Sequence, residues 1–174
     1  MSDVEVRPAR IDDAEAIARV HLRTWQSAYR HVFPPDELDA LPLEPRIAGW
    51  QRGLRDENGI CFVAGEPILG FVFAEPCRED PQLGEVDAIY VEPSVWGVGV
   101  GRSLLARAEE ELRARRFDEA VLWVLEDNPR ARRFYEAAGW STDGTTRPIE
   151  IFGTPVPEIR YTKDLQAEPK ARSR

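Results

Sequence analysis

Three glycines alternate in Trp96-Gly97-Val98-Gly99-Val100-Gly101-Arg102, and no other segment narrows the fold as far. Glycine loses more backbone freedom on folding than any other residue. Three in alternation are therefore costly unless the chain must bend tightly or approach a ligand closely. The segment follows Glu85 to Val91, a run of branched and aromatic residues that reads as a strand. It precedes Gly101 to Arg116, where Leu104, Leu105, Ala108 and Leu112 share one helical face. A loop leading from strand to helix presents free N–H groups with the positive helix end behind them, which suits a phosphate or pyrophosphate. Two nucleotide signatures fail. The Walker A lysine is absent, because Arg102 follows the last glycine. The GxGxxG fingerprint is broken because Gly101 comes one residue early. A glycine-rich turn with no ligand is the other reading of the loop alone.

The rest of the chain alternates strands with helices. Val4 to Arg7 alternates as a short strand. Asp12 and Glu15 have the spacing of a capping box ahead of a helix. That helix carries Ala14, Ile17, Ala18, Leu22, Trp25, Ala28 and Tyr29 on one face, and Pro34-Pro35 is expected to stop it. Short helices are expected over Asp36–Leu41 and Pro45–Leu54. Ile60–Ala64 and Ile68–Ala74 read as a hairpin around Gly65-Glu66-Pro67. Ala120–Leu125 is apolar enough to be buried on both faces. Pro129 opens a further helix and Gly139 closes it. Last strands are expected near Trp140–Thr142 and Glu158–Lys163, with a turn-rich stretch between. The pattern predicts a single α/β domain over residues 1–165 and a frayed tail over 166–174.

Composition limits what such a domain can do. At 174 residues, one core suffices without a staple. No apolar run approaches the ~18 residues needed to span a bilayer, and the N-terminus lacks a signal-peptide pattern. A formal charge of -8 argues against nucleic acid and suits a cationic substrate or simple solubility. Cys61 and Cys77 form no CxxC pair and no His sits at ligand spacing, so no metal site is expected. Two free thiols fit a reducing cytoplasm, and a homodimer is compatible with the sequence.

Two blocks carry a family resemblance. Val91-Glu92-Pro93 followed by Trp96 to Gly101 resembles the acetyl-CoA motif Gln/Arg-x-x-Gly-x-Gly/Ala of the GCN5-related N-acetyltransferase (GNAT) superfamily. Gly99 and Gly101 match it, and Trp96 stands at the Gln/Arg position. Asn128 to Trp140 is similar to that family's Asn-x-x-Ala-x-x-Phe-Tyr-x-x-x-Gly-Phe/Trp block at every fixed position. The resemblance implies a central mixed, mostly antiparallel sheet of six to seven strands flanked by helices, with a V-shaped splay between two central strands. It implies acetyl-CoA as acyl donor, no metal, and a small-molecule or peptide amine as acceptor. The implied cofactor residues are Ile89, Tyr90, Val91, Trp96, Gly97, Val98, Gly99, Val100, Gly101, Arg102, Asn128 and Tyr135. A non-catalytic acetyl-CoA sensor on the same fold is the alternative.

Making an amide from a thioester and an amine requires a base for the amine proton, a donor for the developing oxyanion and a proton for the thiolate. By resemblance, Tyr135 is the acid, the Val91 backbone is the oxyanion donor and Asn128 contacts the pantetheine arm. Asn128 also reads as a helix N-cap. Glu85, on the strand that feeds the loop, is the candidate base. Asp87 is expected to share its face and to help or to hold a cationic amine. Trp25 and Tyr29 lie four apart on the first helix and line an acceptor pocket or pack in the core. His21 reads as a partly buried core histidine.

Overall fold

The structure, a computed structural model, describes residues 4–167. Its strands are β1 (Val6–Pro8), β2 (Ile60–Ala64), β3 (Gly70–Pro76), β4 (Gly84–Val91), β5 (Glu119–Leu125), β6 (Ser141–Ile151) and β7 (Thr154–Asp164). Its helices are α1 (Ala14–Ala28), α2 (Pro35–Asp39), α3 (Glu44–Gly53), α4 (Val100–Ala114) and α5 (Pro129–Ala137). The strands form one seven-stranded sheet in the order β1-β2-β3-β4-β5-β7-β6. Every neighbouring pair is antiparallel except β4 and β5. This is the mixed, mostly antiparallel sheet flanked by helices that the family resemblance implies.

The helices cover both faces. On one face Leu104, Leu105, Ala108 and Leu112 of α4 pack with Tyr135 of α5 and Trp140 onto Phe62, Val72, Val86, Leu122 and Tyr161. Each buried leucine contributes ~1.5–3 kcal/mol. On the other face Ile17 and Val20 of α1 meet Val63 and Phe71, with Trp50 of α3 packed alongside. A third cluster, Tyr29, Phe33, Leu38, Leu125 and Val156, joins the end of α1 and α2 to β5 and β7.

The pairing of β4 governs the site. It runs the length of β3, from Pro76↔Gly84 to Gly70↔Val91. With β5 it pairs only at Gly84↔Ala120 and Glu85↔Val121. Beyond Glu85 the β5 side of β4 has no strand partner. Gly84 sits at the closed end, where a Cβ would lie 2.7 Å from Leu112 Cδ2, so a larger residue would have to displace the Leu112 side chain from its packing on the sheet. A bulge follows. Ala74 faces Val86 and Phe73 faces Ala88, which leaves Asp87 without a register partner. Val86, Ile89 and Val91 consequently pack on the α4 face, and Ala88 and Tyr90 on the α1 face. Simple alternation therefore breaks between Val86 and Ala88, with Asp87 as the extra residue of the bulge.

Several local expectations are corrected. Asp12 does not cap the first helix. Ile11–Asp13 forms a 3₁₀ turn, and Asp13 accepts from the Arg10 amide (2.7 Å) and from both terminal nitrogens of Arg7 (2.7 and 3.0 Å). That long-range pair with Arg7 holds the Asp13 carboxyl below the usual range and outcompetes a local capping box. The last two strands are far longer than expected. The stretch rich in Thr, Gly and Pro between them is mostly β6, an edge strand with an exposed face that tolerates such residues. Gln166 and Ala167 are held by Asp164 Oδ1 (2.8 and 3.2 Å), and the remainder of the expected tail lies outside the described residues. Both cysteines are free thiols. Among the described residues, no helix is long and apolar enough to cross a membrane.

A buried polar knot fastens α5 to this frame. Glu109 of α4 accepts from Trp140 Nε1 (2.9 Å) and from Lys163 Nζ of β7 (2.6 Å). Lys163 also donates to Ala138 O, at the end of α5 (2.8 Å). Replacing Lys163 leaves the Glu109 carboxylate buried without its cation. Lys163→Met is expected to lower unfolding stability by about 3 kcal/mol in denaturant titration, and the Glu109→Gln/Lys163→Met pair is expected to recover part of that loss.

Candidate active site

A cleft of about 810 Å³ opens where β4 and β5 stop pairing. Val86 to Val91 of β4 form one wall, and Trp123 to Leu125 of β5 the other. Val95 to Arg102 and the first turn of α5 close one end. Trp25, Tyr29, Ile149, Ile151 and Glu158 gather at the other.

The glycine loop is shaped by two different constraints. Gly97 and Gly99 have φ of +82° and +100°, a left-handed backbone that side chains strain, and open space lies around both. Gly99 is the N-cap of α4, so the amides of Val100, Gly101 and Arg102 belong to the first turn and have no helical acceptor. Gly101 has an ordinary φ. A Cβ there would lie 3.3 Å from Phe134 Cε2, so its role is the close approach of α4 to α5. The strand end is tied to its surroundings through one carbonyl. Val91 O accepts from Thr24 Oγ1 (3.2 Å) and from Trp96 Nε1 (2.7 Å). The Glu92 amide donates to Leu69 O on the β3 side (2.7 Å). Alternation then turns the Val91 amide toward the cleft, where no strand competes for it.

Asn128 caps α5, its Oδ1 accepting from the Ala131 amide (3.1 Å). Its side-chain amide also borders the Tyr29 hydroxyl, which lowers a phenol pKa that burial raises. Tyr135 is buried among Phe134, Trp140 and Tyr161, and its ring borders the cleft. Burial pushes the phenol well above its ordinary range, so it is a neutral proton donor at physiological pH. Its hydroxyl makes no hydrogen bond among the described residues, and it is not an orphaned buried atom.

The two candidate carboxylates separate. Asp87 lines the cleft and Glu85 does not. Glu85 lies at the closed end beside Val121, in hydrogen-bonding contact with the Cys77 side chain. Burial raises both carboxyls. The Asp87 charge raises Glu85 further, and the Arg147 guanidinium lowers both. Neither makes an ion pair among the described residues, whereas Arg147 binds Glu158 (3.0 Å) and Glu79 (3.1 Å), Arg160 binds Asp143 (2.6 Å) and Arg78 binds Glu75 (3.2 Å). Trp25 donates from Nε1 to Tyr90 Oη (3.0 Å) while bordering the cleft, and Tyr29 belongs to both core and cleft. His21 is stacked on Tyr90 at 4.7 Å and accepts from Trp50 Nε1 (3.3 Å). Burial lowers its pKa to about 4, so it is a neutral core group.

The cleft thus brings together every expected cofactor, catalytic and acceptor residue except Glu85. It adds Thr24, Trp123, Arg130, Ile149, Ile151 and Glu158. Trp123 lies in the apolar β5 run and Arg130 at a variable place in the Asn128 block. The three from β6 and β7 carry no local signal, because only the hairpin's return to β5 brings them to the cleft.

Comparison with known proteins agrees with this architecture. Residues 19–140 match the model of the acetyltransferase (GNAT) family. The uncharacterised N-acetyltransferase YuaI of Bacillus subtilis (strain 168) is 34% identical over 128 residues, covering 71% of this chain and 72% of its own. The fold matches the PaiA N-acetyltransferase of Thermoplasma acidophilum in complex with coenzyme A, with TM-score 0.75 and 18% identity over 94% of this chain and 99% of that one. It also matches yncA of Salmonella typhimurium with its cofactor acetyl-CoA, with TM-score 0.71 and 20% identity over 99% of both chains. With the glycine loop, the Asn128 block and the unpaired β4 edge all in one cleft, the chain belongs to the GNAT family and is an N-acetyltransferase.

Proposed function

We propose that this enzyme moves an acetyl group from acetyl-CoA directly onto a primary amine of a small molecule or peptide. The observation that carries the reading is the free β5-facing edge of β4, which ends in a glycine-shaped helix N-terminus inside a single cleft. Coenzyme A in PaiA and acetyl-CoA in yncA support the choice of donor. Acetyl-CoA supplies the acyl group as a thioester. The amides of the α4 first turn receive its pyrophosphate, Asn128 its pantetheine arm, and the Val91 amide the carbonyl oxygen as charge develops there. The amine nitrogen bonds to the carbonyl carbon as the C–S bond breaks. The amine's proton passes to the Glu85/Asp87 carboxylate pair, with Asp87 the member that faces the acceptor. The thiolate takes a proton from Tyr135. Trp25, Tyr29 and Trp123 provide apolar walls for the acceptor.

The acid and the base have separable signatures. Tyr135→Phe is expected to lower kcat by ~10²-fold, measured as thiol release, with acetyl-CoA affinity nearly unchanged. Asp87→Asn is expected to lower kcat by ~10²–10³-fold and to abolish the acidic limb of the pH–rate profile. Desolvation in the cleft raises the Asp87 pKa, but the side chain is solvent-accessible, so its ionisation opposes folding only weakly. The same variant should therefore melt no lower than wild type at pH 7 and match it below about pH 4. An intact acidic limb in Asp87→Asn that disappears in Glu85→Gln would assign the base to Glu85.

The loop glycines are expected to fail in different ways. Gly99→Ala strains a left-handed backbone in open space and should weaken CoA binding at least ~10-fold in calorimetry at a cost of about 1 kcal/mol in stability. Gly101→Val presses on Phe134 and should destabilise by a further 1–2 kcal/mol or so.

A further inference from the structure

Trp96 occupies the motif position where the family carries Gln or Arg, and a cation from another element sits on it. The guanidinium carbon of Arg130, in the first turn of α5, lies 3.4 Å from the Trp96 ring centroid. The indole is itself fixed by its hydrogen bond to Val91 O (2.7 Å). Both residues line the cleft beside Gly97 and Gly99. Stacking occupies the face of a guanidinium and leaves the in-plane N–H groups along its edge available. Arg130 makes no ion pair or hydrogen bond among the described residues. Burial alone moves its pKa, downward, with no carboxylate to offset it. In a chain of net charge -8, an arginine in a cleft that no acidic residue neutralises points to an anionic ligand.

We propose that Trp96 and Arg130 form a phosphate clamp, in which Trp96 is a platform that holds the edge of Arg130 toward a phosphate group of the CoA donor. The proposal rests on the acetyl-CoA reading above. It explains how a tryptophan serves at a position where the family motif carries a polar side chain. The cation comes from α5 across the cleft, and the indole supplies the surface that fixes its orientation. Arg130 is the binding group and Trp96 a positioning residue. The phosphate is either the pyrophosphate or the 3′-phosphate, and dephospho-CoA, which lacks the latter, separates the two.

The test is calorimetric binding of CoA and dephospho-CoA to the wild type and to Arg130→Ala, Arg130→Lys, Trp96→Phe, Trp96→Leu and the Arg130→Ala/Trp96→Leu pair, each checked for a cooperative melt. Arg130→Ala is expected to weaken CoA ~10–100-fold, the scale of a lost charge-assisted hydrogen bond, with Arg130→Lys intermediate. Trp96→Phe keeps an aromatic face and loses the N–H, so it should retain most of the affinity, whereas Trp96→Leu should not. The double variant should bind no more weakly than Arg130→Ala alone, because the two residues act as one unit. A penalty that persists with dephospho-CoA identifies the pyrophosphate, and one that disappears identifies the 3′-phosphate. Wild-type affinity in Arg130→Ala, equal losses in Trp96→Phe and Trp96→Leu, or multiplying effects in the double variant would each overturn the clamp while leaving the donor assignment intact. A wild type that binds no CoA would overturn the donor assignment and the clamp together.

Discussion

Parallel pairing between β4 and β5 ends after Glu85↔Val121, and the cleft exists because of that interruption. A sheet interior that leaves one edge of a strand unpaired carries backbone donors and acceptors that need partners. Packing maintains the gap from both ends. At the closed end Gly84 lets Leu112 of α4 press onto the sheet. At the open end Val91 O is held by Thr24 of α1 and by Trp96 of the loop. Between them the bulge at Asp87 resets the faces of β4, so that Ile89 and Val91 join the α4 core while Tyr90 packs, half-buried, on the α1 face. The cleft is therefore part of the folded frame.

Charge is distributed along the cleft in a way the net charge conceals. The phosphate-sized end combines the first turn of α4 with Arg102 and Arg130, neither of which is paired with a described carboxylate. The acceptor end holds Asp87 on the wall with Glu85 behind it, while the nearby arginines 78, 147 and 160 are engaged by other acidic residues. This distribution suits the proposed pairing of an anionic donor with an amine acceptor. The half-buried Glu85 and the solvent-accessible Asp87, both with raised pKa values, are suited to take up a proton there.

Much of this was legible in the sequence where the determinants are local. Alternating glycines before an apolar helical stripe specify a strand, a tight loop and a helix start, and Asn128-Pro129 specifies a capped helix. Determinants that lie far apart in sequence were not legible. The bulge at Asp87 is a mismatch of register with Phe73 and Ala74, and no local pattern in β4 announces it. Asp13 displaced Asp12 as the organiser of the first helix because Arg7 reaches it across a turn. The hairpin of β6 and β7 was hidden by its Thr, Gly and Pro content, and with it Ile149, Ile151 and Glu158 at the acceptor end. The Trp96–Arg130 stack joins two motif blocks whose side chains meet only after β5 and α5 are in place.

In the reaction proposed above, the unpaired edge of β4 and the first turn of α4 together receive the donor. Amide hydrogen exchange with and without saturating CoA tests this residue by residue. Exchange is expected to slow at Ile89 to Val91 and at Gly97 to Arg102, with little change on β1, β2 and the β6 edge. Unchanged exchange in both of those segments, with protection appearing elsewhere on the chain, would contradict it.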